Sequence, residues 1–133
     1  MKFLLDTNVC IHLLRGDNQT VVEHFSSQSI EDIFICSIVK AELLYGARRS
    51  NNPSRALQVV DAFTQPLTSL NFGDLAAAHY GVIRSDLAAR GQPIGANDLM
   101  IAAIAKVEDL IVVTNNTGEF SRVAGLRFVD WQC

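Results

Sequence analysis

KFLLDTNVCIHLL, residues 2–14, runs apolar from Phe3 to Leu5, meets a carboxylate at Asp6 and turns apolar again at Val9. The residues ahead of Asp6 are continuous in hydrophobicity rather than alternating, the pattern of a strand buried on both faces of a parallel sheet. A strand is read from Lys2 to Asp6 and a helix from Thr7 to Leu14. In such sheets ligands bind outside the carboxyl ends of the strands. Asp6, at the end of the first strand and directly ahead of a helix, therefore stands where sites form.

The rest of the chain repeats this alternation. Further strands are read at Ile33 to Cys36, Leu67 to Leu70, Leu110 to Thr114 and Arg127 to Val129. Helices are read near Thr20 to Ser27, Ser37 to Arg49, Pro53 to Thr64, Phe72 to Arg90 and Asn97 to Glu108. Ser37 is placed as an N-cap, Pro53 or Ser54 as a helix start and Gly91 as a C-terminal cap glycine. No repeat, low-complexity tract or linker interrupts the pattern, so one compact α/β domain over residues 1–133 is expected.

Composition removes several function classes. A chain of 133 residues buries roughly two-thirds of its unfolded surface, enough for a core without staples. Cys10, Cys36 and Cys133 are odd in number and lack CxxC spacing, so neither a disulfide framework nor a thiolate metal site is indicated. There is no secretory leader pattern and no apolar run approaches the roughly 18 residues of a membrane span. A cytoplasmic protein without membrane association is the expectation. The net charge of −3 disfavours nonspecific polyanion binding, so contact with nucleic acid must rest on local cations or on metal ions.

Two more acids resemble Asp6 in setting. Glu42, in SIVKAELLYGA (residues 37–47), falls by helical spacing on a stripe with Ile38, Val39, Tyr45 and Gly46, an apolar surface on which a carboxylate needs a partner. Asp98, in PIGANDLMIAAIA (residues 93–105), occupies the first turn of an apolar helix, where the dipole favours an anion. Each acid alone also has an ordinary reading. Asp6 caps a helix, Glu42 is an exposed helix residue and Asp98 is a helix-start aspartate. Together, with Asp6 and Glu42 on elements that follow strands, they converge if the first two strands are neighbours. Clustered carboxylates repel one another unless a counter-ion joins them. Oxygen ligands without imidazole or thiolate select Mg²⁺ or Mn²⁺, which retain waters and accept phosphate oxygens, and this is phosphodiester chemistry. A fourth group, Thr114, Asn115, Asn116 and Glu119 in LIVVTNNTGEF (residues 110–120), follows another strand and reads equally as a polar turn. Cys10 and His12, two apart on a helix, do not face one another, and His24 and His79 lack metal-ligand spacing.

These motifs, LLDTN, AELLYGA, YGVIRSDLAARGQPIGANDLMIAAIA, VTNNTGEF and VAGLRFVDW, span essentially the whole chain. In order and content they resemble PIN-domain endoribonucleases of the VapC type, the toxin halves of bacterial toxin and antitoxin pairs. The resemblance implies a PIN-like fold with a central, mostly parallel five-stranded sheet flanked by helices. It implies hydrolysis of RNA, such as transfer RNA, by a water activated through Mg²⁺ or Mn²⁺. Asp6, Glu42 and Asp98 match the metal-binding acids, Asp6 and Asp98 as direct ligands. Many such domains carry a fourth acid where Asn116 stands here; Asn116 can still offer a carbonyl oxygen, and Glu119 is the candidate to supply the charge instead. Thr7, Asn8 and Thr114 match polar residues that orient ligands or contact water and phosphate. The resemblance also implies a homodimer and a hetero-oligomer with a VapB-type antitoxin, whose segment docks against the CIHLL and VVEHF helices, with operator DNA bound through that antitoxin. Arg15, Lys40, Arg48, Arg49, Arg84 and Arg90 are candidates for backbone contact with RNA. A non-catalytic PIN-fold module that holds RNA or a partner is the alternative.

Overall fold

The apolar run ahead of Asp6 is the middle strand of the sheet. The computed structural model of the chain describes residues 1–133. Strands β1 (Phe3–Leu5), β2 (Ile33–Cys36), β3 (Thr68–Leu70), β4 (Ile111–Val113) and β5 (Phe128–Val129) stand in the order β3-β2-β1-β4-β5. All neighbouring pairs are parallel, so the sheet is wholly rather than mostly parallel. Every residue of β1 and β4 is buried, whereas β3 and β5 at the edges are partly exposed, and at three and two residues they leave little strand edge open to other chains.

Parallel strands need crossovers, and these are helical. They are α1 (Thr7–Arg15), α2 (Gln19–Ser26), α3 (Ser37–Arg48), α4 (Pro53–Thr64), α5 (Asp74–Ala89), α6 (Ala96–Glu108) and the single turn α7 (Thr117–Phe120). A short 3₁₀ turn, Ile30–Asp32, precedes β2. The buried apolar residues form one cluster, to which α6 contributes Leu99, Ile101 and an unbroken run from Ala102 to Ala105. None of the helices is long and apolar enough to cross a membrane.

Strand order decides where a site can lie. The chain leaves β1 for β2 and β3 on one side, then returns across the sheet to β4 on the other. The switch point therefore falls between β1 and β4, where a crevice opens outside the strand ends. Leu5 is in register with Val113, and the Asp6 N–H donates to the Val113 carbonyl at 3.1 Å. Asp6 and Thr114 thus emerge side by side at that crevice.

Several boundaries differ from expectation. Ser37 is the first helical residue of α3 and not its cap; Cys36 holds that position, with no side-chain hydrogen bond. The helix read from Phe72 starts at Asp74, and Phe72 instead sets its ring edge-on against Tyr80 at 6.0 Å. The stretch that reads as a polar turn after β4 holds the single helical turn α7. Pro53 does open α4, behind Asn52, whose side chain accepts from the Arg55 N–H at 3.3 Å.

Gly91 closes α5 as expected. Its φ of 66° is left-handed; its N–H donates to the Ala88 carbonyl, and that of Gln92 to the Leu87 carbonyl. This pair of bonds is the Schellman arrangement. Gly91→Ala would place a Cβ on a left-handed residue at a cost of about 1 kcal/mol. A melting temperature lower by about 3–5 °C is expected by calorimetry; an unchanged value would show that the turn relaxes.

Candidate active site

Four elements deliver the acids singled out above. Asp6 leaves β1 with extended backbone and caps α1, its Oδ1 accepting the Val9 N–H at 3.0 Å. Capping and membership of a site are not alternatives here, because the same carboxyl, only 5 % exposed, also lines an open cleft. Burial raises its pKa, the Thr114 hydroxyl and the Val9 N–H draw it back, and the charges of Glu42 and Asp130 push it up.

Glu42 reaches the same cleft from α3. Its Oε1 accepts the Thr7 hydroxyl at 2.8 Å, which ties α3 to the start of α1. The apolar stripe expected around it is rearranged. The buried line of α3 is Val39, Leu43 and Ala47, while Glu42, Tyr45, Gly46 and Arg49 form a neighbouring face that walls the cleft. The partner that a carboxylate on this helix requires is thus the Thr7 hydroxyl.

Asp98 enters from the first turn of α6 and is half-buried. Its Oδ2 accepts the Asn116 side-chain amide at 2.8 Å. The same amide donates to Glu119 Oε2, and the Asn116 N–H donates to the Thr114 hydroxyl at 2.9 Å. Glu119 Oε1 in turn accepts the Gly95 N–H at 2.9 Å, just ahead of α6. Burial first, then the adjacent Glu119, push the Asp98 carboxyl up to about 7. Glu119 is held below its usual range by its hydrogen bond with Asp98 and by the Gly95 and Asn116 donors.

The cleft has a volume of about 460 Å³ and gathers Asp6, Thr7, Asn8, Glu42, Asp98 and Asn116, together with Ile11, Tyr45, Gly46, Arg49 and Asn97. Thr114 and Glu119 do not line it. Thr114 is fully buried, and Glu119 stands behind Asn116, bonded to it and to Gly95. Asn115 is exposed. Of the basic residues considered for RNA contact, only Arg49 borders the cleft. The reading of the sequence passed over Asp130. It follows β5 as Asp6 follows β1, so the rule that singled out one acid covers the other.

No three His, Cys, Asp or Glu side chains are gathered tightly enough to enclose an ion by themselves. The donor set nevertheless suits a hard, hydrated cation, which needs one or two carboxylates and completes its shell with water and phosphate oxygens. Asp6, Glu42 and Asp98 supply the carboxylates and Asn116 an amide, with Arg49 as the one cationic side chain on the wall. A nucleophilic cysteine is excluded at Cys10, which is buried and whose thiol burial and Asp6 push well above its ordinary value. His12 pairs with Asp17 at 2.7 Å and His24 stacks on Trp131 at 5.8 Å.

A second, more apolar groove of about 490 Å³ adjoins the cleft and shares Ile11, Glu42 and Gly46 with it. Its walls are α1, with Leu14 and Arg15, α3, with Leu43 and Ala47, and α4, with Ala56, Val59 and Val60. Of the CIHLL and VVEHF helices expected to form part of an antitoxin groove, α1 lines this cavity together with α3 and α4, while α2 does not. Helix α2 instead sends Val21 into the core and turns His24 to Trp131.

Comparisons with known proteins agree with the fold. The PIN domain family model matches residues 3–126. The chain is 44 % identical over 131 residues to the tRNA(fMet)-specific endonuclease VapC of Shigella flexneri, with 98 % of each chain covered. It is 40 % identical, at the same coverage, to Ribonuclease VapC2 of Haemophilus influenzae. Among solved structures, the DNA-bound VapBC of Salmonella typhimurium superposes with a TM-score of 0.91 at 43 % identity, covering 98 % of both chains. The all-parallel sheet, the acids at its switch point and these full-length likenesses place the chain in one family: it belongs to the PIN-domain proteins, within their VapC group.

Proposed function

We propose that this chain is a divalent-metal-dependent endoribonuclease, working as one PIN domain and as the toxin of a VapBC-type pair. The observation that carries the reading is the opening of Asp6, Glu42 and Asp98, from three separate elements, on one cleft at the switch point of the sheet. Mg²⁺, with Mn²⁺ as a substitute, suits the oxygen donors. When bound, such an ion would supply charge neutralisation for the carboxylates and the substrate phosphate and acidify a water for hydrolysis.

The chain's own residues divide the remaining work. Asp6 and Asp98 would hold the ion directly, and Glu42, fixed by Thr7, completes the negative wall. Asn116 clamps the Asp98 carboxylate in one orientation, and Glu119 sets both Asn116 and the Gly95 turn ahead of α6. Thr114 braces this loop from below through the Asn116 N–H. Asn8 offers an amide to water or phosphate at the mouth.

The substrate class follows the Shigella relative, whose name specifies a transfer RNA, so a structured RNA cut in an unpaired segment is proposed. The apolar groove of α1, α3 and α4 suits a VapB-type antitoxin segment, which would run onto the acidic cleft over Ile11 and Gly46. Operator DNA would be reached through that antitoxin, as the net charge of −3 suits, and the toxin would act as a cytoplasmic homodimer when released. The test is incubation of the purified chain with transfer RNA in Mg²⁺, Mn²⁺ or EDTA. Cleavage in either metal and none in EDTA is expected. Binding without cleavage under all three conditions would make the chain a non-catalytic module.

A further inference from the structure

One side of the acidic cleft is not acidic at all. Tyr45 and Arg49 lie one helical turn apart at the end of α3, and both line the cleft that holds Asp6, Glu42 and Asp98. Tyr45 is 64 % exposed, and the Arg49 guanidinium carbon lies 5.3 Å from the centre of its ring. Although three carboxylates share its cleft, Arg49 joins none of the ion pairs of the fold, which are His12 with Asp17, Arg90 with Asp86 and Arg127 with Asp109. A cation that borders three acids, pairs with none and rests instead on an open aromatic face keeps its donors free for an anion from outside.

An exposed tyrosine alone is ordinary. A ring and a free guanidinium together, lining one cleft with carboxylates, are what an unpaired nucleotide uses. Its base stacks on an aromatic face and its phosphate accepts from the guanidinium fork. The volume of about 460 Å³ lies within the range of about 300–1,000 Å³ that holds a small ligand. A paired base has no free face to offer, so this wall selects single-stranded segments.

We propose that Tyr45 and Arg49 form the substrate-gripping wall of the cleft, Tyr45 stacking an unpaired RNA base and Arg49 holding a neighbouring phosphate. The proposal rests on the endoribonuclease reading above and adds to it the groups that position the strand. Both are positioning residues: they would touch the base and a phosphate of the strand, while Asp6, Glu42 and Asp98 serve the ion and the bond that breaks.

Steady-state cleavage of a stem-loop RNA in Mg²⁺ tests it, with Tyr45→Leu, Tyr45→Phe and Arg49→Gln beside wild type. Tyr45→Leu should raise KM about 5- to 150-fold, the range for loss of one stacked base, with kcat falling less. Tyr45→Phe, which retains the ring, should restore it. Arg49→Gln should flatten the slope of log kcat/KM against log salt by about 0.7, the loss of one phosphate contact on a single strand. Because both side chains are exposed, melting temperatures should stay near wild type. Wild-type KM and salt slope in Tyr45→Leu and Arg49→Gln would overturn the inference while leaving the nuclease reading intact. So would a raised KM accompanied by a smaller sedimenting species, which would make the pair a protein interface. A wild-type chain that cuts no RNA in either metal would overturn both.

Discussion

Asp98→Asn should lower metal-dependent RNA cleavage by well over 100-fold while leaving the fold intact. The substitution keeps size and shape, and Asp98 makes no capping hydrogen bond to α6, so the helix start loses little. What it loses is the charge that holds the ion. Changing a group that only supports a ligand typically costs about 10- to 100-fold. Removing a ligand should exceed that. Asp6→Asn should behave alike, since an amide oxygen can still accept the Val9 N–H and keep α1 capped. Glu119→Gln provides the contrast. Glu119 lies outside the cleft, and a Gln NH₂ facing the Asn116 amide would set donor against donor and loosen the clamp on Asp98. A fall of about 10- to 100-fold is expected there. Initial rates on one RNA substrate decide the matter: Asp98→Asn at wild-type rate would end the assignment, and Glu119→Gln falling as far as Asp98→Asn would move Glu119 into direct contact with the ion.

What the sequence could and could not reveal follows from how far each signal reaches. Asp6 was legible because an apolar strand fixes its own end and the ligand rule for parallel sheets does the rest. Glu42 was found for a partly mistaken reason. Helical spacing grouped it with Tyr45 and Gly46 as though all were interior, but Tyr45 points into open space beside a cleft, and periodicity cannot tell a groove wall from a core face. The segment from Asn116 to Phe120 was missed as a helix since one turn is too short to show a period, though the fully buried Phe120 pins it in place. Nor could the sequence show that α3 and α4 join α1 in one apolar groove, because that is decided by long-range packing. The Asn116 clamp joins Asp98 to Glu119 across separations of 18 and 3 residues, a relation that only the folded chain displays.

Metal should stabilise the chain most where pH destabilises it most. The folded-state pKa of Asp98, about 7, lies above the ordinary carboxylate value, so between about pH 4 and 7 the native state binds more protons than the unfolded chain. Stability must then fall as pH rises through that window, and Asp6, raised in the same direction, adds to the fall. Glu119 acts oppositely, but its pKa is lowered, so its contribution is lost only below the ordinary carboxylate range and leaves the window clear. In EDTA the melting temperature should therefore drop between pH 5 and pH 8, and Asp98→Asn, which has no proton to lose, should drop less and melt at or above wild type at pH 8. A divalent ion that binds only the folded state reverses this by mass action, contributing about 2.7 kcal/mol at 100 times its dissociation constant, or about 10 °C for a chain of this length. In Mn²⁺ the wild-type curve should rise most at pH 8, where the acids are ionised and ready to bind, and Asp98→Asn should rise less. Four melting curves, each protein with chelator and with metal, read both effects together. A flat profile in EDTA would mean that burial and the neighbouring Glu119 do not hold the Asp98 proton in the folded chain, and an equal response to Mn²⁺ in the two proteins would remove Asp98 from the ion.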